Sequence, residues 1–494
     1  MRRSGLPMAP LALGAAVVVL PMLLIGGPAR GTVSVALLLG AATAVVLVLR
    51  WPVLGLHAIL VAAFVSMGVK RAFPSLPMGL SVDGLIVVCF VAVMLRPNSL
   101  ERTSRLQDVG VLPLVIWMGW CLSQLLNPES PSAVAWFYAV RGIAGYMVVP
   151  LLVVLILDSK RQLIGLVLHW AVWANLAALW GMKQLHMGLE PFEQRWMNAG
   201  AYQTHMLHGK LRVFSFLSDT AQFGITMAFS FLFFALLATG KMSLRIRMAC
   251  ATTAALCFYG CMISGTRSAW VVVPVGVLVF AIIRRRWGPT LLGLGAILLA
   301  FCVLRFTFIG QSNYHIQRMR QVTRPFDDPS FQVRLENQRK LFPYLMVRPF
   351  GGGIGSAGFW GQRFSPGTFL ANIPMDSHYV RIASELGPLG FLVFFLTMTG
   401  LGFVGISRSP QIRDPTARLI YDAHMAVFFG VFVASYSNQY LAQIPTAVVV
   451  YQGFALIIVG PRMFREPPAS APVPARRPRF WRLLPPSPNQ TAET

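Results

Sequence analysis

The chain has 494 residues, of which 55% are hydrophobic and only 12% charged, and its mean hydropathy is +0.62. That balance excludes a water-soluble globule with an ordinary polar surface and points to a polytopic membrane protein. The net charge of +25 does not by itself indicate nucleic acid. Many of the cations lie in short loops between apolar runs, where they set topology or meet anionic membrane lipids.

Runs apolar enough to cross roughly 30 Å of hydrocarbon fall near 10–26, 33–49, 52–69, 79–95, 108–126, 141–157, 162–184, 221–239, 247–264, 269–283, 288–308, 385–406, 419–436 and 444–460. They predict an all-α fold, a polytopic membrane helical bundle of about 12–14 transmembrane helices. Pro21, Pro52 and the tight connections at 27–32 and 50–51 allow tilted or re-entrant alternatives among the first four. The clusters Arg2-Arg3, Arg96/Arg102/Arg105, Lys160-Arg161, Lys241/Arg245/Arg247, Arg284-Arg285-Arg286 and Arg408/Arg413/Arg418 all fall on one side of this arrangement. By the positive-inside tendency that side is cytoplasmic, and both termini with it.

The chain then divides into N-terminal transmembrane helices (1–184), a first periplasmic segment (185–220), central transmembrane helices (221–308), a large periplasmic loop (309–384), C-terminal transmembrane helices (385–460) and a disordered, basic, Pro-rich cytoplasmic tail (461–494). The periplasmic labels assume a bacterial inner membrane. The six cysteines all lie inside expected spans without CxxC spacing, so they read as small packing residues. The first apolar run has a basic start but no cleavage site that stands out, so no cleavable signal peptide is expected.

Both interrupting segments are basic. They carry Arg195, Lys210, Arg212, Arg318, Arg320, Arg324, Arg334, Arg339, Lys340, Arg348 and Arg363 on the side where short loops carry few cations. Long loops cross the membrane largely regardless of charge, so most of these residues read as solvated surface, while some can converge on an anionic substrate. Within the larger loop, Phe331, Leu335, Phe342, Leu345 and Met346 recur at helical spacing, which predicts an amphipathic interfacial helix carrying Arg334. The Gly-rich Phe350–Gly361, "FGGGIGSAGFWG", lacks the GxxxxGK[ST] spacing of a phosphate loop. It reads as a flexible turn with close backbone approach.

Three short stretches concentrate chemistry. "SGTRSAW" (Ser264–Trp270) places Arg267 between two spans, where it must snorkel, pair or bind an anion. "KLRVFSFLSDTAQFG" (Lys210–Gly224) brings Arg212 and Asp219 to the start of a helix, and a guanidinium there can make paired hydrogen bonds to phosphate oxygens. "MDSHYVRIASELGPLG" (Met375–Gly390) sets Asp376, His378, Arg381 and Glu385 where an apolar helix begins. Arg381 and Glu385, at i and i+4, suit a structural ion pair. The other histidines, His57, His169, His186, His205, His208, His315 and His424, form no comparable constellation, and most read as interfacial or satisfied within helices.

Together these stretches resemble the O-antigen ligase and O-antigen polymerase superfamily of polytopic glycosyltransferases that use lipid-linked glycans, over about residues 200–400. Arg212 matches the Arg opening the family's R-x-x-G-T-F-x-N-P-N stretch, with Ser215 in place of its Gly and "SDTAQ" in place of Asn-Pro-Asn. Arg267 matches the Arg of S-G-S-R-x-A-W. Arg334 and Glu336, followed by "RPFGGGIG", are similar to R-x-E-x-W…P-L-x-G-x-G. The stretch from Asp376 resembles H-N-x-Y-L-x-x-L-A-E-x-G-x-x-G, with Asp376 at the position of the family's His and His378 two residues later.

The resemblance implies transfer of a glycan from an undecaprenyl pyrophosphate-linked donor to a glycan acceptor, either a lipid-linked chain or lipid A-core, on the periplasmic side of the inner membrane. No cofactor or metal is implied, and no HExxH, DxD or His/Cys ligand cluster is present. Fixed arginines are then the natural counter-charges for a departing pyrophosphate. Arg212, Arg267 and Arg334 are the expected pyrophosphate-binding residues, with Arg381 a fourth. Asp376 or His378 is the expected base or acceptor-orienting group. The replacement of the family's His by Asp376 tilts the expectation toward a polysaccharide polymerase over a ligase. A lipid-linked sugar transporter is a further alternative, although no internal repeat of the kind transporters show is evident. A scaffold for other polysaccharide enzymes is a third class.

Overall fold

The computed structural model describes residues 40 and 42–464, apart from 75, 77, 98, 208, 286, 311–313 and 321–328. The expected span 10–26, most of 33–49, and the tail from 465 lie outside the described residues. Every span expected from residue 52 onward coincides with helix. Among the described residues, eight helices are long and apolar enough to cross a membrane, or up to ten if each of two bent pairs is one span. Two shorter apolar helices, Met78–Met94 and Ile297–Phe306, accompany them. The protein is a polytopic helical membrane protein.

In chain order the helices named below are α1 (Pro52–Ala72), α2 (Lys160–His186), α3 (Thr220–Ala238), α4 (Leu244–Ser264), α5 (Val272–Arg284), α6 (Pro329–Met346), α7 (His378–Arg408), α8 (Pro415–Ala434) and α9 (Thr446–Met463), with a further long helix, Trp287–Phe306, between α5 and α6. The two bent pairs, Leu100–Gln107 with Leu112–Leu126 and Ala133–Ile143 with Gly145–Ile156, turn by 90° and 42° before α2. Helices α8 and α9 are the most enclosed, each 83% buried over its apolar window, whereas the window through α5 is only 28% buried. Large aromatic side chains such as Phe428, Tyr451 and Phe454 fill the centre. Lipid tails are as apolar as leucine, so helices in a bilayer associate through close van der Waals packing. Gly276 and Gly430 serve that need where α5 meets α8. A Cβ on Gly276 would lie 3.0 Å from the carbonyl oxygen of Ala426, and one on Gly430 2.7 Å from that of Val272.

Members of several basic clusters are joined by ion pairs among the described residues. Asp158 holds Arg102 and Arg105 at 2.8 and 2.7 Å. Asp108 holds Arg408 and Arg462 at 2.7 and 3.2 Å. Buried Asp422 takes Arg284 and, at 3.9 Å, Arg418. The first of the segments that break the apolar pattern contains a small antiparallel pairing, Met206–Leu207 with Lys210–Leu211, within otherwise helical surroundings.

Two local expectations change. The 350s loop is close to the neighbouring backbone as expected, but it is buried through residues 351–357 rather than flexible. The amides of Gly352 and Gly353 donate to the carbonyls of Ser384 and Glu385 at 2.9 and 2.8 Å, and Asn127 donates to Phe350 and Gly351. Helix α6 forms as expected, yet its inward row is Arg334, Leu341 and Tyr344, while Phe342 and Met346 are exposed. Phe331, Leu335 and Leu345 are half-buried like Arg334, so the inward side is mixed rather than purely apolar.

Candidate active site

The turn between α4 and α5 is dictated by Gly265, which has φ +62° and ends α4 in the left-handed conformation. Thr266 then donates its amide to Ser264 Oγ at 3.1 Å and its hydroxyl to the carbonyl of Thr220 at 2.8 Å. A 3-10 turn over Arg267–Val271 follows, with Arg267 half-buried. Arg212 arrives from the other side. Its Nε and that of Arg318 each lie 3.9 Å from the place a Cβ on Gly265 would occupy. Arg318 Nη2 also donates to the Gly265 carbonyl at 3.4 Å. Arg212 and Arg318 therefore meet at the turn that carries Arg267. Arg318 was visible in the sequence only as one of many loop cations.

Arg212 owes its place to a buried anchor. Arg71, at the end of α1 and 8% exposed, donates to the carbonyls of Ser215, Leu217 and Ser218. Its guanidinium lies over Trp196 and Phe214 at 4.1 and 4.6 Å from their centroids. Gln184 adds a donor to the Ser215 carbonyl and accepts from its amide. Asp219 then caps α3, accepting from Ala221 and Gln222 at 2.8 and 2.9 Å. No sequence motif singled out Arg71.

The second group is built by α6 and the start of α7. Ser377 caps α7, accepting from the Val380 amide at 3.4 Å. Asp376 lies just outside the cap with its side chain 55% exposed, and its Oδ2 is 4.0 Å from Arg334 Nε. His378 is 2% exposed, its ring edge-on to Phe394 at 5.3 Å, and its Nδ1 has no hydrogen-bond partner among the described residues. The two candidate proton acceptors thus sit in opposite surroundings. Arg381 pairs with buried Glu385 at 3.2 Å, as the i, i+4 spacing predicts, and donates to Gln439 Oε1 at 2.6 Å. Glu385 also accepts from the amides of Ala357 and Gly355, which ties the 350s loop to α7.

Gly387, with φ +75°, interrupts α7 beyond this pair. A Cβ there would collide with the carbonyl oxygen of Pro349, so the break in α7 at Gly387 and Pro388 is also the seat of the Gly-rich loop. Tyr440 connects the two groups. It is fully buried, shares a hydrogen bond with Ser268 at 2.7 Å, and burial pushes its hydroxyl up to about 12, with Asp219 and Arg334 among the charges acting on it.

Residues 252–395 match the family model described as O-antigen ligase. Over that stretch the chain is similar to the O-antigen ligase family, in line with the resemblance to the O-antigen ligase and polymerase superfamily. No curated protein matches the chain. The matched stretch contains Arg267, Arg318, Arg334, Asp376, His378 and Arg381, while Arg212, Asp219 and Tyr440 lie outside it. Among the described residues no group of three or more His, Cys, Asp or Glu side chains is placed to hold a metal ion. The histidines hold one surprise: His57 and His169, far apart in sequence, meet Nδ1 to Nδ1 at 3.0 Å between α1 and α2.

Proposed function

We propose that this protein is a glycosyltransferase that moves a glycan from undecaprenyl pyrophosphate to an acceptor sugar, and that it acts as a polysaccharide polymerase at the periplasmic face of the inner membrane. The observation that carries the reading is the pairing of an exposed carboxylate, Asp376, with Arg334, together with the turn that carries Arg267 and meets Arg212 and Arg318. In this reading the acceptor hydroxyl attacks the anomeric carbon of the donor, the bond from that carbon to the pyrophosphate oxygen breaks, and Asp376 takes the hydroxyl proton. Arg212, Arg267 and Arg334 stabilise the charge that develops on the departing pyrophosphate without any metal ion.

Asp376 is preferred over His378 as the proton acceptor because it is open to solvent, whereas the His378 ring is enclosed against Phe394. Arg381 receives a supporting place, since its guanidinium is engaged by Glu385 and Gln439. The ligase reading, transfer to lipid A-core, is kept as the second because the matched family carries that description. Purified protein supplied with lipid-linked repeat units separates the two. Lengthening of carrier-linked chains supports the polymerase, label on lipid A-core supports the ligase, and movement of substrate across a vesicle without a new glycosidic bond would replace both with a transporter.

A further inference from the structure

The connection between α8 and α9, Ser435-Tyr436-Ser437-Asn438-Gln439-Tyr440, is a polar run between the two most enclosed helices of the bundle. It lies beyond the matched domain, which ends at residue 395. Its residues nevertheless reach α6, the start of α7 and the Arg267 turn. The Ser435 carbonyl accepts the His378 amide at 3.1 Å, Tyr436 accepts from Gln338 of α6 at 3.1 Å, and Tyr440 bonds Ser268 beside Arg267.

Gln439 makes the contact that bears most directly on Asp376. Its Oε1 accepts from Arg381 Nη1 at 2.6 Å, and its Nε2 donates to the carbonyl of Met375. Arginine has only donors, so it fixes which end of the amide faces it, and the –NH₂ end is thereby directed at Met375. Arg381 is itself oriented by Glu385, which is fully buried. A continuous set of contacts runs from Glu385 through Arg381 and Gln439 to the peptide group that joins Met375 to Asp376. On the other side of Asp376, Ser377 is held as the helix cap and His378 by the Ser435 carbonyl. Asp376 is the exposed residue between two fastened ones.

We propose that Gln439 is a positioning residue for Asp376, setting the backbone from which its carboxylate faces Arg334, while neighbouring Tyr440 keeps that backbone in register with the Arg267 turn. This inference rests on the assignment of Asp376 as proton acceptor. Misplacement of a reacting group by about 1 Å can cost on the order of 100-fold in rate, so a positioning residue is expected to act on kcat.

The test compares wild type with Gln439→Met, which keeps side-chain length and loses both bonds, and Gln439→Glu, which keeps the acceptor for Arg381 and loses the donor to Met375. Two measurements are made on each full-length protein in nanodiscs: transfer kinetics with an undecaprenyl pyrophosphate-linked repeat unit, and hydrogen–deuterium exchange of the 374–378 backbone. The expected result for Gln439→Met is a kcat lowered by about tenfold or more with KM within about twofold. Little further loss should appear when Asp376→Asn is added, and exchange at 374–378 should be faster. Gln439→Glu should behave as Gln439→Met in both measurements, since the Met375 bond is the one that matters. A loss confined to KM, a loss that multiplies with that of Asp376→Asn, or unchanged exchange would overturn the proposal. Wild type that transfers no glycan would refute the assigned chemistry instead, and the exchange measurement would still decide whether Gln439 fastens the Asp376 backbone.

Discussion

Asp376 and Arg334 face each other with 4.0 Å between Oδ2 and Nε, one just before the cap of α7 and the other on the inward row of α6. The pair ties α6 to the start of α7, beside the buried apolar cluster that Leu341 shares with Met375. Two residues further on, His378 is enclosed against Phe394. Asp376→Asn is therefore expected to lower initial transfer rates on the order of 10²–10⁴-fold, the range for loss of a positioned proton acceptor. His378→Gln is expected to retain far more activity in protein of equal folded yield. The opposite ranking in initial-rate assays would assign the proton to His378.

Glu385 is fully buried and engaged by Arg381 and the amides of the 350s loop. Removing one partner of a buried ion pair leaves the other charge uncompensated, at a cost of about 3–5 kcal/mol. Glu385→Ala is expected to lower the unfolding midpoint of the purified protein markedly. Adding Arg381→Ala should cost less than the sum of the single changes, because the second substitution removes the stranded charge. Additive losses would show that the pair is not coupled.

Gly387 and Gly358 both have positive φ, +75° and +59°, but only the first lies against another backbone. At Gly358 nothing lies within 4 Å of an added Cβ. Gly358→Ala should cost about 1 kcal/mol, from backbone strain alone. Gly387→Ala adds a collision with the Pro349 carbonyl and should cost about 3 kcal/mol or more. Comparable thermal midpoints for the two variants would contradict the packing of the Gly-rich loop on α7.

Much of this arrangement was legible in the residues themselves. Apolar length located the helices and the i, i+4 spacing gave the Arg381–Glu385 pair, because each is a local property of the chain. What escaped depends on contacts between distant segments. Arg71 belongs to no motif, and its role emerges only once the 215–218 carbonyls surround it. The Gly-rich loop read as flexible because nothing local shows that Ser384 and Glu385 cover it. Hydrophobic periodicity gave helix α6 but not its buried contact at Leu341, which depends on the packing of Met375 and its neighbours. Gln439 and Tyr440 had no motif at all.

His205 offers a pH-dependent readout of the Arg212 segment. It is 5% exposed, edge-on to Trp196 at 4.9 Å, and burial lowers its pKa below the ordinary 6.5, more than its bond to Ala201 and the nearby Asp219 raise it. The unfolded chain therefore binds this proton more tightly than the folded one. The stability contributed is complete above about pH 6.5 and declines as pH falls toward the lower folded value. Wild type should lose more thermal stability than His205→Gln between pH 7.5 and 5.5. Equal losses in the two proteins would show that His205 is not kept neutral by folding.

The most direct test is transfer from an undecaprenyl pyrophosphate-linked repeat unit by purified protein in the presence of EDTA, comparing wild type with Arg267→Ala at matched folded yield. The arginine-based account predicts that wild type lengthens the carrier-linked chain at an unchanged rate in the chelator, and that Arg267→Ala loses on the order of 100-fold or more. Transfer that stops in EDTA, or that proceeds at the wild-type rate in Arg267→Ala, would contradict it.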